Sequence, residues 1–221
     1  MYDTIREKET GEVYMHLVLI HGLGQTALDW NKTIEGLDKQ NQVVCPDLCE
    51  MLKDKEVNYN NLYCAFSEYC NSFSEPLNLC GLSLGGILAL NYAIDYPAKV
   101  NSMVLIGTQY TMPKRLLAFQ NMIFRFMPNS VVQKMGFGKQ EFIGLSKSMM
   151  ELDFNKDLRK VTCPVLVMCG EKDNANKKAA EGLVKYLPNA KLHMVAGAGH
   201  EVNADRPEVL ANILNDFYER I

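Results

Sequence analysis

The chain has 221 residues, of which 48% are hydrophobic and 22% charged, with a formal net charge of -3 at pH 7. That length supports one sizeable hydrophobic core, and the balance excludes a disordered or fibrous chain. A slightly acidic chain whose basic residues come in short groups such as Lys177 and Lys178 offers no nucleic-acid surface, and no apolar run approaches the roughly 18 residues of a membrane span.

In chain order, residues 1–8 carry no apolar segment with a small-residue cleavage site, so a cytoplasmic location is expected. One antiparallel strand at most is expected there, around residues 2–7. The first core strand is the apolar run 15–20, which ends at His21 and Gly22. A second run, 42–45, is stopped by Pro46 and Asp47. Residues 58–73 carry Leu62, Ala65, Phe66, Tyr69 and Cys70 at three-four spacing, which predicts a helix. The run 77–80, a helical pattern over 84–96 and the run 102–106 follow. After an irregular stretch come the run 165–169, a helix over 177–186, the run 191–195 and a helix over 207–218, where Pro207 suits the first turn. Near-continuous apolarity predicts strands buried on both faces, and strand-helix alternation predicts a single doubly wound α/β domain over residues 1–221, with a mostly parallel sheet and right-handed crossovers.

The irregular stretch, about residues 111–155, is too long for a simple crossover. It reads as a short helical lid over the carboxyl edge of the sheet, where open α/β sheets bind ligands, with helical pieces over 113–127, 131–135 and 141–152. Leu116, Leu117, Phe119, Ile123, Phe124 and Phe126 make the first piece apolar around much of its circumference. Such a stripe must cover something. It either packs on the domain body or lines an apolar pocket, and Met112, Phe119, Met122 and Ile123 are the candidate substrate contacts. Met112, Met122 and Met127 are adaptable fillers of a pocket or, equally, of a core. The seven cysteines include no CxxC pair, and Cys45, Cys80 and Cys169 fall in strand-like runs. They read as reduced, buried thiols rather than disulfides or metal ligands.

The chemistry concentrates at four turns. Gly81-Leu82-Ser83-Leu84-Gly85 is a GxSxG segment between a strand and a helix, the context that gives the motif meaning. A nucleophile there sits on a sharp, strained turn, and its flanking glycines let strand and helix approach closely. Serine needs a base. Of the four histidines, His16 and His193 lie inside strand runs and His21 begins the turn after the first core strand. His200 follows the last strand in a Gly197-Ala198-Gly199 loop that can deliver an imidazole to Ser83. The base needs an acid to hold its tautomer, and Asp173 lies just past the 165–169 run on the same edge. Asp47 reads as a loop hydrogen-bonder, and Glu171 should point elsewhere. The oxyanion donors would be the backbone N–H groups of Leu84 and of Leu23, the latter turned inward by a curl that Gly22 and Gly24 permit. His21 would brace that turn.

Taken together, HGLG from His21, GLSLGG from Gly81, GEKD from Gly170 and GAGH from Gly197 resemble the α/β-hydrolase superfamily, in particular its small single-domain bacterial members with a lid after the sixth strand. The resemblance runs from about Met15 to the C-terminus and implies the order nucleophile, acid, base. It implies no metal or organic cofactor for the triad chemistry. Relatives of this kind include carboxylesterases, lactonases, C–C bond hydrolases and a menaquinone-pathway lyase. Three features depart from the common pattern: Cys49-Glu50-Met51-Leu52 replaces an Arg-Gly-His-Gly type loop, the N-terminal region is short for a pair of leading strands, and the lid is short.

The expected function is serine hydrolysis of an ester or related acyl bond in a small to medium, fairly hydrophobic molecule. A C–C hydrolase or lyase using the same triad is a second expectation, with Lys114, Arg115 and Arg125 as candidate partners for a carboxylated substrate. A slow-turnover ligand receptor or signalling protein on the same fold is a third. The expected partner is a small-molecule substrate, with neither nucleic acid nor membrane, and the chain would be a monomer or homodimer.

Overall fold

The computed structural model describes residues 16–38, 42–114 and 138–221. Six strands among them, β1 (His16–Ile20), β2 (Gln42–Val44), β3 (Leu77–Leu82), β4 (Val100–Ile106), β5 (Val165–Gly170) and β6 (Ala190–Val195), form one sheet in the order β2-β1-β3-β4-β5-β6. Every pairing is parallel. The chain winds outward from β1 to β2, then returns past β1 to β3. The strand order therefore reverses between β1 and β3, and a crevice at the carboxyl ends of those strands is where such a sheet takes its ligand.

Side chains alternate across the sheet. Val18 and Ile20 enter one core, Leu17 and Leu19 the other. The first face is covered by α3 (Tyr59–Asn71) and α4 (Leu84–Asp95), together with α5 (Lys139–Ser148) and α6 (Lys177–Tyr186). The second is covered by α1 (Asn31–Glu35) and by α8 (Pro207–Tyr218), which follows the short α7 (Val202–Asp205). A further short helix, α2 (Leu48–Met51), is capped by Asp47, whose carboxylate accepts from Cys49 N and Glu50 N. That is the loop role the sequence predicts for it. Asn58 caps α3 in the same way, accepting from Asn61 N at 2.9 Å. Pro207 occupies the first turn of α8.

One expectation fails. The run 191–195 reads as a strand buried on both faces, yet Lys191, Leu192, His193 and Met194 of β6 are all exposed. β6 is the last strand in the sheet order, with a neighbour on one side only. Local apolarity does not distinguish an edge strand from a central one.

The two ends of the irregular stretch run side by side. Thr111 and Asp153 form an antiparallel bridge, Met112 N donates to Leu152 O at 3.1 Å, and Phe154 N donates to Tyr110 O at 2.8 Å. The helix expected over 141–152 is α5, over 139–148. It turns Phe142 and Leu145 inward and is tied to α3 through Tyr59 N, which donates to Ser148 Oγ at 2.8 Å. The antiparallel strand around 2–7 and the pieces expected over 113–127 and 131–135 fall outside the described residues, apart from Pro113 and Lys114.

Candidate active site

The nucleophile candidate sits where the local sequence demands. Ser83 joins β3 to α4 with φ 52° and ψ -111°, one of two non-glycine residues with positive φ among those described. A β-carbon strains in that region, and such strain persists only where the surroundings over-determine it. Here they do. A Cβ at Gly81 would lie 2.3 Å from the Gly85 carbonyl carbon, and one at Gly85 would lie 2.2 Å from Ile20 O, so both GxSxG glycines are required by backbone contact. Ser83 N donates to Ile106 O at 2.8 Å, anchoring the turn to the end of β4. Leu84 is the first residue of α4, so its N–H has no acceptor within the helix.

His200 follows β6, as the sequence predicts. Its Nδ1 lies 2.8 Å from Asp173 Oδ2. The Asp173 side chain is 5% exposed and that of His200 41%. Burial alone would raise the Asp173 carboxyl, but hydrogen bonds from His200 and Asn176 outweigh it and hold the group below the usual carboxylate range. An ionised acid accepting from Nδ1–H fixes the tautomer that leaves Nε2 free as a base. The ring packs on Gly107, where φ is +55° and a Cβ would come within 2.9 Å of the imidazole. Consecutive residues at the end of β4 thus carry the two partners: Ile106 holds the Ser83 backbone and Gly107 backs the His200 ring. A Ser83 Oγ to His200 Nε2 bond is not among those formed between the described residues.

The loops that carry Asp173 and His200 are stitched together. Lys172 N donates to Ala198 O at 2.8 Å, and Gly197 N donates to Glu171 Oε2 at 2.8 Å. Glu171 thus points away from the imidazole, as the sequence reading holds, and braces the histidine loop instead.

Beside Ser83, residues Gly22 to Gln25 form a turn closed by Gln25 N donating to Gly22 O at 3.2 Å, with Gly24 at φ 92°. A positive φ at that place is the requirement of a type II turn. A Cβ at Gly22 would lie 3.6 Å from Ser83 Cβ, so this turn abuts the nucleophile and carries the Leu23 N–H beside it. His21 is buried and braces the turn: Leu48 N donates to Nε2 at 3.0 Å, which leaves Nδ1–H to donate to Gly22 O at 2.9 Å. An Nε2 that accepts from an amide is unprotonated, and burial lowers the His21 pKa to match.

Of the candidate substrate contacts, Met112 is buried in the core with Leu145 and Met149. Phe119, Met122 and Ile123 lie outside the described residues, as do Arg115 and Arg125. Lys114 Nζ is bonded to Glu151 at 2.6 Å. His16 is buried against Phe73, and His193 is exposed on β6. The Cys45 and Cys49 thiols are pushed up to about 12, chiefly by burial, and are no rival nucleophiles.

Four polar residues escape the sequence reading. Asn176 contacts Asp173 directly and Gln109 at one remove. Gln25 and Asn203 form a buried reciprocal amide pair: Gln25 Nε2 donates to Asn203 Oδ1 at 3.1 Å, and Asn203 Nδ2 donates to Gln25 Oε1 at 3.2 Å. Gly22 N also donates to Gln25 Oε1, so the pair ties the turn beside Ser83 to α7, directly after His200. The only local hint is that both asparagines lie three residues after a triad candidate.

This is the architecture of an α/β-hydrolase, with its nucleophile candidate at the point where strand order reverses. The chain belongs to the alpha/beta hydrolase family, whose model matches residues 17–213. It is similar to the human monoacylglycerol lipase ABHD6, at 22% identity over 91% of this chain and 74% of that protein. It is also similar to a Bacillus subtilis protein named as a 2-succinyl-6-hydroxy-2,4-cyclohexadiene-1-carboxylate synthase, at 24% identity over 66% of each chain. Among solved structures, a carboxylesterase of Nitrososphaera gargenis superposes with a TM-score of 0.79 at 17% identity, over 94% of this chain and 90% of that one. None of the described helices is long and apolar enough to cross a membrane.

Proposed function

We propose that the chain is a serine hydrolase that cleaves an ester or related acyl bond of a small to medium, fairly hydrophobic molecule. The observation that carries this reading is the shared support at the end of β4, which holds the strained Ser83 backbone through Ile106 and the Asp173-bonded His200 ring against Gly107. In the first half-reaction His200 Nε2 takes the Ser83 proton as Oγ attacks the acyl carbon. Asp173 stays ionised and stabilises the imidazolium. The Leu23 and Leu84 amides receive the oxyanion, each such donor contributing about 2.7–4 kcal/mol to the transition state. His200 then protonates the leaving group, and water repeats the cycle on the acyl-enzyme. No step needs a metal or organic cofactor. The lipase and carboxylesterase names among the similar proteins support the bond type. In the sequence, the apolar residues of 116–126, expected over the carboxyl edge of the sheet, support a hydrophobic substrate.

The Bacillus subtilis relative favours a second reading, in which the same triad acts mainly as a base on a carboxylated substrate. That reading needs a cation at the site; of its candidates, Lys114 is paired with Glu151 on the surface, and Arg115 and Arg125 lie outside the described residues. One experiment separates the two. Wild type and Ser83→Ala are labelled with a fluorophosphonate and assayed on short and medium p-nitrophenyl esters. Ester hydrolysis predicts labelling and turnover in wild type, with about a 10⁶-fold loss of kcat in the variant. Turnover that survives Ser83→Ala refutes the nucleophile. Strong labelling with negligible ester turnover moves the weight to the second reading or to a slow-turnover receptor on the same fold.

A further inference from the structure

We infer that Asn176, held in orientation by Gln109, is a positioning residue that fixes the Asp173 carboxylate and turns the positive end of its amide on the His200 ring. The inference rests on the triad reading above. Asn176 Nδ2 lies 2.9 Å from Asp173 Oδ1, 2.8 Å from Asp173 Oδ2 and 3.1 Å from His200 Nδ1. An amide nitrogen has two hydrogens and accepts nothing. The Nδ1–H of His200 is itself committed to Asp173 Oδ2. One Asn176 N–H is therefore shared between the two carboxylate oxygens, which lie too close together to take one hydrogen each, and the positive end of the amide dipole faces Nδ1.

Its orientation is set from behind. Gln109 Nε2 donates to Asn176 Oδ1 at 2.7 Å, and also reaches Ala175 O at 3.4 Å. A flipped Asn176 amide would turn its oxygen on the carboxylate and its NH₂ on the Gln109 NH₂, losing every bond. Asn176 and Asp173 are both buried, where such bonds are strengthened by the low local dielectric. A further observation separates this from a local structural role. Asn176 is the N-cap of α6, a position where asparagine ordinarily bonds the helix's free amides, yet its side chain makes no capping bond. Its polar atoms serve the acid and base instead.

The effect on the base follows from charge. Protonating His200 places a cation beside the positive end of the Asn176 amide, and the same amide withdraws electron density from Asp173, weakening its pull on an imidazolium. Both influences disfavour the protonated ring. The other groups around it among the described residues are accounted for elsewhere. Glu171 and Asp205 accept from Gly197 N and Gly199 N, Arg206 lies against Gly197, Lys177 is bonded to Asn174 Oδ1, and Glu201 is exposed. The Cys169 thiol, pushed up to about 11, stays neutral.

The test reads the pH dependence of fluorophosphonate labelling of Ser83, which needs no knowledge of the natural substrate. In Asn176→Ala the acidic limb should move to the alkaline side by at most about one pH unit, since only part of the worth of a charged hydrogen bond reaches the imidazole through Asp173. The maximal rate should fall about tenfold, the cost of letting an imidazole drift by part of an ångström. Gln109→Glu should move the limb in the same direction and further, because a carboxylate accepts from Asn176 Nδ2, draws the amide round and adds a negative charge near the ring; Gln109→Leu is the control that adds none. Gln109→Leu should give a smaller shift, and Gln109→Leu combined with Asn176→Ala should be no worse than Asn176→Ala alone. A role confined to folding predicts lower stability with an unmoved pH profile. That result, or rates within twofold of wild type in folded Asn176→Ala and Gln109→Glu, overturns the inference. If Asn176→Ala does not fold, the half-buried Gln109 variants decide alone. Labelling that persists in Ser83→Ala is the separate sign that the triad reading itself has failed.

Discussion

Replacing Gly107 by alanine tests the shared support at the end of β4 most directly. Its backbone has φ +55°, a conformation that costs an L-residue about 1–2 kcal/mol. For a chain of this size that is a fall in Tm of about 2–8 °C. The new methyl would also sit 2.9 Å from the His200 ring and 3.4 Å from Asp173 Oδ2, so the imidazole must retreat until the contact reaches at least 3.4 Å. A sub-ångström displacement of a general base is expected to slow reaction by about tenfold to a hundredfold. Gly197→Ala is the matched control. It has φ +71°, but its close neighbour is the guanidinium end of Arg206, which can swing aside. The two variants should lose similar stability in urea titrations, whereas only Gly107→Ala should lose fluorophosphonate labelling rate. Equal labelling rates in the two variants would refute the argument that Gly107 positions the base.

Two further outcomes follow from buried polar groups. Gln25→Leu and Asn203→Leu should each destabilise by about 1–3 kcal/mol, because each leaves the partner amide buried and unpaired, and the double variant should lose less than the two losses combined. Urea titration of the four species checks this, and strict additivity would show that the pair is not coupled. His21 is buried neutral, with its pKa lowered by desolvation. An unfolded chain binds a proton there more readily. The stability contribution is therefore complete above the unfolded value near 6.5 and is lost as pH falls toward the lowered folded value. Urea midpoints of wild type should fall across that interval, and the slope should flatten in His21→Phe.

Much of the site is legible in the sequence because its parts are local. Ser83 is marked by the glycines on either side, which are needed where strand and helix touch. Asp173 and His200 each follow an apolar run at the carboxyl edge. His21 and Asp47 take the bracing and capping roles their positions suggest. Asn176 and Gln109 are not legible, since a buried amide carries no periodic signal and these two are 67 residues apart. Gln25 and Asn203, separated by 178 residues, are hidden for the same reason. Met112 reads equally as filler or substrate contact from sequence, and only its place beside Leu145 and Met149 puts it in the core.

The amino-acid order by itself determined the strand-helix alternation, the strained serine turn and the placing of Asp173 and His200 after their strands, because each depends on short-range sterics or on where an apolar run stops. Only the tertiary structure decided that β6 is an exposed edge, that the strand order reverses between β1 and β3, and that two amide pairs join the loops around Ser83, Asp173 and His200. Those features depend on which distant segments become neighbours, and hydrogen-bonding side chains reveal their partners only once the chain has packed.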